Sequence, residues 1–433
     1  MSNISARIKC SILTIFGICF ACFCVAKTKI AAGPVVGHTT QSSTNIWFMV
    51  KNLETATIYL INQNNPKDFH KKEYNTKTTK TYGKHTVVTA LFEELNSKTT
   101  YKLSVKIGQD SIGFNTKITT LSENTTEDFS FLVGSCALSL KGVFKPLYSV
   151  LGEKIFDSMA KDSADFMVWL GDNVYYLGND YRSFGGMFYR QLEKRKMKKL
   201  ARFFSTGKPQ YAIWDDHDFG SNNSKSDNAL KEEALEIQKL FWPNPYYGTK
   251  ETKGAFSYFS VYDADFFLLD DRFYKTEENA QNRTLLGEMQ LKWFLEKLAQ
   301  SKATFKFIAL GSQVIAQQPH ECYGDYPEEK EKIFSLIKEH NIKGVVFLSG
   351  DIHHTVLSKA DSVYDFTCSP LTAPVYRMKN VEEIYKETMV DETLCFEKNY
   401  GKITVSGTDK NRKCTLQIFS KNGDKLWEKE VRL

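Results

Sequence analysis

The 433-residue sequence has little of what marks fibrous, disordered or disulfide-rich proteins. It contains 10 Pro and 25 Gly, and 42% of its residues are hydrophobic, so collagen-like and low-complexity classes are excluded. It also has no fixed-period repeat and no P-loop, GxGxxG, HExxH or GxSxG pattern. These absences leave a globular chain of two domains, or of one large domain with an appendage.

An excess of one charge is also missing, since 57 Lys and Arg face 51 Asp and Glu. The net charge of +6 is too small for a dedicated nucleic-acid binder of this size. Segment 190–202 is locally basic, with seven Lys or Arg against Glu193. It could steer anionic substrates, but we expect a solvated helix face.

Beyond residue 26 no apolar run approaches the roughly 20 residues of a transmembrane helix. Residues 1–26 are predicted to be a secretory signal peptide, because basic Arg7 and Lys9 precede an apolar stretch that ends in small residues. Cys22 or Cys24 could instead carry a lipid anchor. We therefore expect an exported protein, which would be periplasmic, extracellular or a membrane-anchored lipoprotein.

The pattern of the remaining chain changes near residue 122. Residues 27–122 hold short β-rich runs separated by turn residues, which predicts a small immunoglobulin- or fibronectin-like sandwich. In residues 123–433 short apolar runs alternate with helical-period segments, which predicts a layered α/β domain. The Asn422-Gly423 turn indicates that this domain ends in β-hairpins.

Unusual polar clusters come directly after the apolar runs of the α/β domain. They are Gly134–Cys136, Gly171–Tyr175, Asp215–Asp218, Asp270–Arg272 and Gly350–His354. Ligands of open α/β sheets bind outside the carboxyl ends of strands, so we expect these clusters to meet in one crevice. Several acids in one apolar crevice need a cation, and Cys, Tyr, His and Asp are all metal-ligand types. The sequence therefore predicts a metal site.

Strand alternation places Asp351 and His353 on the same side, as two ligands of one centre require, and His354 on the other. We therefore interpret His354 as structural. Cys136 has two interpretations. It is either a metal ligand or, like most free cysteines, a small buried hydrophobic residue. Five cysteines lie beyond residue 26, and this odd number leaves a thiol unpaired even in an oxidising compartment.

The chain resembles the PhoD-type alkaline phosphatase and phosphodiesterase family, a branch of the calcineurin-like metallophosphatases related to purple acid phosphatases. The resemblance covers nearly the whole chain after residue 26 and rests on six motifs in order, which are Phe131–Cys136, Leu170–Tyr175, Trp214–Asp218, Leu268–Arg272, Gly287–Trp293 and Leu348–His353. It implies an α/β fold with a metallophosphatase-like sheet sandwich flanked by helices.

The resemblance also implies a set of metal ligands at these strand ends: Cys136, Asp172, Tyr175, Asp216, Asp351 and His353. In this set Asp172 bridges two or more ions, and the thiol, phenol and imidazole surround an iron. The implied ions are iron and calcium, with zinc or manganese as alternatives.

The catalytic residues implied are His217 beside the leaving group, Arg272 on a phosphate oxygen, and Asn173 next to the bridging aspartate. The reaction expected is hydrolysis of phosphomonoesters or phosphodiesters by a metal-activated hydroxide, with small phosphate esters or phospholipids as substrates. Two alternatives stay open: a cysteine hydrolase in which His217 activates Cys136, and a non-catalytic exported binding protein. Oligomeric state is also open.

Overall fold

The structure is a computed structural model that describes residues 27–108, 110–139, 153–316, 321–408 and 411–431. The predicted signal peptide and its candidate lipidation sites lie outside the described residues. Within the described part of the chain, no helix is both long and apolar enough to cross a membrane.

The N-terminal part folds as two four-stranded antiparallel sheets with a shared hydrophobic core. One sheet has the order β1-β2-β6-β5 and the other β4-β3-β7-β8. Their strands are β1 Lys29–Thr39, β2 Thr44–Lys51, β3 Thr55–Asn62, β4 Phe69–Asn75, β5 Thr81–Tyr82, β6 His85–Phe92, β7 Thr100–Ile107 and β8 Asp110–Thr119. The predicted all-β character is confirmed, whereas the exact boundary at residue 122 stays a prediction.

The sequences of β1 and β4 lack the pattern of apolar residues from which a strand is predicted. β1 contains Gly33 and Pro34, which disfavour a regular strand, and its pairing with β2 shows three register shifts. β4 is mostly polar and exposed, and it is held by backbone pairing to β3 rather than by burial.

The second part contains two six-stranded sheets that pack face to face. The first has the order β11-β10-β9-β18-β19-β20 and the second β12-β13-β14-β15-β17-β16. Phe131 of the first sheet packs edge-on against Phe266 and Phe307 of the second, with ring centroids 5.1 and 5.0 Å away. The strand bounds are β9 Phe129–Gly134, β10 Phe166–Leu170, β11 Gln210–Ile213, β12 Ser257–Val261, β13 Ala264–Leu268, β14 Phe305–Ala309, β15 Val345–Ser349, β16 Val356–Ala360, β17 Val363–Thr367, β18 Asn399–Ser406, β19 Lys413–Ser420 and β20 Lys425–Val431.

Helices cover the outer faces of both sheets, so the layered α/β prediction is confirmed. Apolar side chains of α1, α2, α3 and α5 pack on the first sheet, and those of α6 and α7 pack on the second. The helices are α1 Lys154–Lys161, α2 Phe184–Arg195, α3 Lys198–Phe204, α4 Asp216–Phe219, α5 Lys231–Phe241, α6 Glu288–Gln300, α7 Pro327–Glu339 and α8 Val381–Tyr385.

The interpretation of segment 190–202 as a solvated face is wrong for two of its cations. Lys194 and Arg195 are buried, and the Arg195 guanidinium lies 4.2 Å from the Trp242 ring centroid and donates to the Phe241 carbonyl at 2.7 Å. Aromatic faces and carbonyl oxygens replace water around this charge. Lys196 and Lys198 are exposed as expected.

The N-terminal sheets contact the second part of the chain closely at Gly207. This residue has φ +93°, and a Cβ on it would overlap the Lys117 carbonyl of β8. Gly108 also has positive φ, at +56°, but a Cβ there would meet nothing within 4 Å. A substitution at Gly108 would therefore add backbone strain alone, whereas one at Gly207 would add both strain and a steric overlap.

We predict that Gly207→Ala destabilises the protein by about 3 kcal/mol or more, and Gly108→Ala by about 1 kcal/mol, because only the first adds a steric overlap to the strain. The free energy of unfolding from urea denaturation tests this. Equal losses in the two variants would show that the contact between Gly207 and Lys117 has no energetic weight.

Candidate metal centre

The predicted clusters converge where the carboxyl ends of both sheets meet. Cys136, Asp172 and Asp216 follow β9, β10 and β11 of the first sheet, and Asp351 and His353 follow β15 of the second. Asp172 and Asp216 are almost completely buried. Side chains that follow strands of two packed sheets therefore lie close together.

The first group of donors surrounds one carboxylate oxygen. Asp172 Oδ2 lies 2.9 Å from the Tyr175 hydroxyl and 3.6 Å from Cys136 Sγ. The same hydroxyl is 3.1 Å from His353 Nε2. One ligand atom each from Cys136, Asp172 and His353 lies within 4.8 Å of the others, which is the spacing of donors around one ion.

The second group is carboxylate-rich and adjoins the first through shared residues. Ligand atoms of Asp215, Asp216 and Asp351 lie within 4.8 Å of one another, and so do those of Asp172, Asp216 and His217. The Asp216 oxygens also accept from the backbone N–H groups of His217 at 2.7 Å and Asn223 at 2.6 Å. Asp216 thus connects the two groups.

Several of these residues have left-handed backbone conformations that side chains rarely adopt. The φ angles are +55° at Cys136, +53° at Asp172, +63° at Asp351 and +56° at His353. Such conformations cost on the order of 1–3 kcal/mol each and persist where the surroundings impose them, typically at functional sites. The strand-end turns therefore aim these side chains inward at a cost in stability.

Electrostatics make the cluster unfavourable without a cation. Burial, followed by repulsion from neighbouring carboxylates, raises the pKa of Asp172 well above its ordinary value. Burial is also the largest cause that raises the pKa of Asp351, to about 7, and Asp216 adds to it. Burial and Asp172 together raise the pKa of the Tyr175 phenol and the Cys136 thiol.

Several polar atoms of the site are buried without a partner, as atoms that receive a metal ion would be. Among the described residues, Asp215 Oδ2, Asp271 Oδ1, Asn173 Oδ1 and His217 Nδ1 are buried without a hydrogen-bond partner. Buried polar atoms in native proteins are nearly always satisfied by protein, water or an ion. Thiolate, phenolate and imidazole suit an iron or zinc-like ion, and carboxylates suit calcium or manganese.

The three expected catalytic residues occupy different surroundings. The His217 ring packs on the Tyr175 ring, with centroids 4.2 Å apart, and is partly exposed. Asn173 is buried and turns its Nδ2 toward the Ile213 carbonyl of β11, at 2.7 Å. Arg272 is completely buried, and its Nε donates to Asp215 Oδ1 at 2.5 Å. The roles of all three stay predictions.

His354 and the five cysteines beyond residue 26 are all buried. The His354 Nε2 lies 3.0 Å from the Tyr385 hydroxyl of α8. Cys136, Cys322, Cys368, Cys395 and Cys414 are all buried free thiols. Among the described contacts of Cys136 there is no imidazole hydrogen bond, and its thiol pKa is raised, so the geometry does not favour an activated cysteine nucleophile.

Sequence reasoning missed the contribution of Asp218. Its Oδ2 accepts from the backbone N–H groups of Asn173 at 3.0 Å and Asp215 at 3.2 Å, and its Oδ1 accepts from that of Val174 at 2.8 Å. Asp218 therefore fastens the turn after β10 to the turn after β11. Its position three residues after the N-cap Asp215, in a capping box, was the available signal.

Sequence reasoning also missed a contact made by Glu321. Its Oε2 lies 2.9 Å from Arg272 Nη1 and 2.7 Å from Lys275 Nζ. No local pattern indicated this contact, because Glu321 comes from a different segment of the chain.

Comparisons with known proteins identify the family of this chain. The model of the PhoD-like phosphatase family matches residues 147–416. Alkaline phosphatase D of Bacillus subtilis (strain 168) is 24% identical over 269 residues, which is 50% of this chain and 46% of that protein. The match thus spans about half the length of that curated relative.

Two solved structures share the fold. One, described as the structure of PhoD, has a TM-score of 0.75 at 16% identity and covers 94% of this chain and 93% of its own. Purple acid phosphatase PPD1 from yellow lupin (Lupinus luteus) seeds has a TM-score of 0.66 at 9% identity, with coverage of 92% and 73%. Because the family model matches more than half of the chain, the protein belongs to the PhoD-like phosphatase family.

Proposed function

We propose that the protein is a metal-dependent hydrolase of phosphate esters, acting on monoesters, diesters or both. The observation that carries this proposal is the convergence of buried Asp172, Asp215 and Asp216 with Asp351 at the junction of two sheets. Like charges in this arrangement need cations, and cations attract phosphoryl oxygens. Family membership and the purple acid phosphatase fold support the same conclusion.

The donors divide between two kinds of ion. Cys136, Asp172, Tyr175 and His353 would hold an iron, and Asp172, Asp216 and Asp351 would hold a calcium. When bound, such cations supply Lewis acidity and lower the pKa of a bound water towards about 7. Zinc or manganese are the alternatives for the same donors.

The chain's own side chains orient the substrate and move a proton. Burial is the largest influence on His217 and lowers its pKa, so its imidazole is mainly neutral at neutral pH. The imidazole would then stand beside the leaving oxygen of the substrate. Arg272 would contact a phosphoryl oxygen through its planar guanidinium.

Substrates of this site would be small phosphate esters or phospholipid head groups. We propose that the protein meets them after export, guided by residues 1–26, which have the pattern of a signal peptide. The N-terminal sheets would then act as a structural module of the enzyme.

We predict that dialysis against a strong chelator abolishes phosphate-ester hydrolysis and that iron with calcium restores it. The reason is that the buried carboxylates cannot polarise an ester without cations. Chromogenic phosphomonoester and phosphodiester assays, with elemental analysis of each sample, measure this. Iodoacetamide treatment of the metal-loaded protein is the control and should leave activity intact. Full activity in metal-free protein would falsify the proposed function.

We also predict that Tyr175→Phe bleaches a visible phenolate-to-iron absorption band of the purified protein. The variant keeps the ring on His217 but removes the oxygen that faces Asp172 and His353. Tyr176→Phe is the matched control, because its buried hydroxyl lies 3.3 Å from Gln191 Nε2 instead. An unchanged spectrum in Tyr175→Phe would reject the phenol as a ligand, and absence of iron would reject the assigned metal.

A further inference from the structure

Two buried cations share one carboxylate at the edge of the candidate metal centre. Glu321 Oε2 lies 2.7 Å from Lys275 Nζ and 2.9 Å from Arg272 Nη1. The Lys275 and Arg272 side chains are 1% and 0% exposed, whereas that of Glu321 is 14% exposed. Glu321 is thus the most exposed to solvent of the three side chains.

The guanidinium is incompletely satisfied in this arrangement. Arg272 Nε donates to Asp215, but Nη1 and Nη2 make no directed hydrogen bond within the described residues, although carboxylate oxygens lie 2.9 and 2.5 Å away. Glu321 and Asp215 therefore neutralise the charge without meeting the two donors along their N–H directions. A tetrahedral oxyanion offers more acceptor oxygens than one carboxylate, and guanidinium groups bind phosphate in bidentate fashion.

The position of these cations fits a substrate role. They lie three residues apart in the turn after β13, and Arg272 reaches the carboxylates through its bond to Asp215. Glu321 holds a left-handed backbone, with φ +54°. Although burial opposes its ionisation most strongly, the combined attraction of Arg272 and Lys275 lowers its pKa, so Glu321 is an anion.

We propose that Arg272 and Lys275 form a subsite for phosphoryl oxygens, and that Glu321 occupies this subsite as an internal anion until a substrate phosphoryl group displaces it. This inference rests on the proposed function and deepens it. It assigns Lys275 as the second cation of the subsite and makes Glu321 a competitor of the substrate.

The experiment measures binding of inorganic phosphate to the metal-loaded protein by isothermal titration calorimetry. Glu321→Gln should bind phosphate about tenfold more tightly, which is the scale of one charge-assisted hydrogen bond, and should lower KM for a phosphomonoester. Glu328→Gln is the matched control, since it removes an exposed carboxylate 2.9 Å from Arg283 and should bind like the unmodified protein. Lys275→Met should weaken binding about tenfold, and Glu321→Gln should gain less in that background.

Unchanged or weaker phosphate binding by Glu321→Gln at full metal content would overturn the inference. Loss of metal in this variant would also overturn it, because Glu321 would then be a metal ligand. If that variant does not fold, a crystal structure of the unmodified protein with phosphate decides. Phosphate on Arg272 and Lys275, with Glu321 displaced, supports the subsite; Glu321 still between them overturns it. Because calorimetry needs no turnover, tighter binding without ester hydrolysis would refute the proposed function alone.

Discussion

Repulsion among buried carboxylates is the constraint on which the rest of this structure depends. Asp172, Asp215 and Asp216 are 1%, 0% and 3% exposed, and Asp351 lies against them. Three of the four carboxylates have raised pKa values, with burial as the largest cause. Buried carboxylates that lie this close together need cations to compensate their charge. Without cations, protons or water would have to take that role.

The surrounding fold holds these groups against their repulsion. Asp218 ties the turn after β10 to the turn after β11 through three backbone N–H groups. On the opposite side, Gly311 follows β14, and a Cβ there would lie 2.5 Å from Asp215 Oδ1. Face-to-face packing of the two sheets keeps the separate turns together, since close-packed cores resist displacement.

The sequence was most informative where strands are apolar and end in polar residues. β10 and β15 are buried throughout, so their runs were recognisable, and the clusters around Asp172 and Asp351 follow them directly. The division of these strands between two packed sheets was not visible in local patterns. It came only from the resemblance of the ordered motifs to a known family.

Features set by tertiary contact could not be predicted from sequence. The sequence indicates that Arg195 is a surface cation. Packing of α2 against α5 instead places its guanidinium over the Trp242 ring. Glu321 meets Arg272 across 49 positions of sequence (321 − 272), and nothing near either residue indicates the pairing. Local propensity carries no information about such partners, because they depend on how distant segments approach.

The most direct test of the central claim is a crystal structure of the protein purified without chelators, with anomalous diffraction measured at metal absorption edges. The account predicts at least two anomalous peaks among these residues. One should lie within about 2.0–2.6 Å of donors from Tyr175 and His353, and another at that distance from Asp216 and Asp351. Asp172 should contact both peaks. Well-ordered carboxylates that share protons or water, with no anomalous peak between them, would contradict the account.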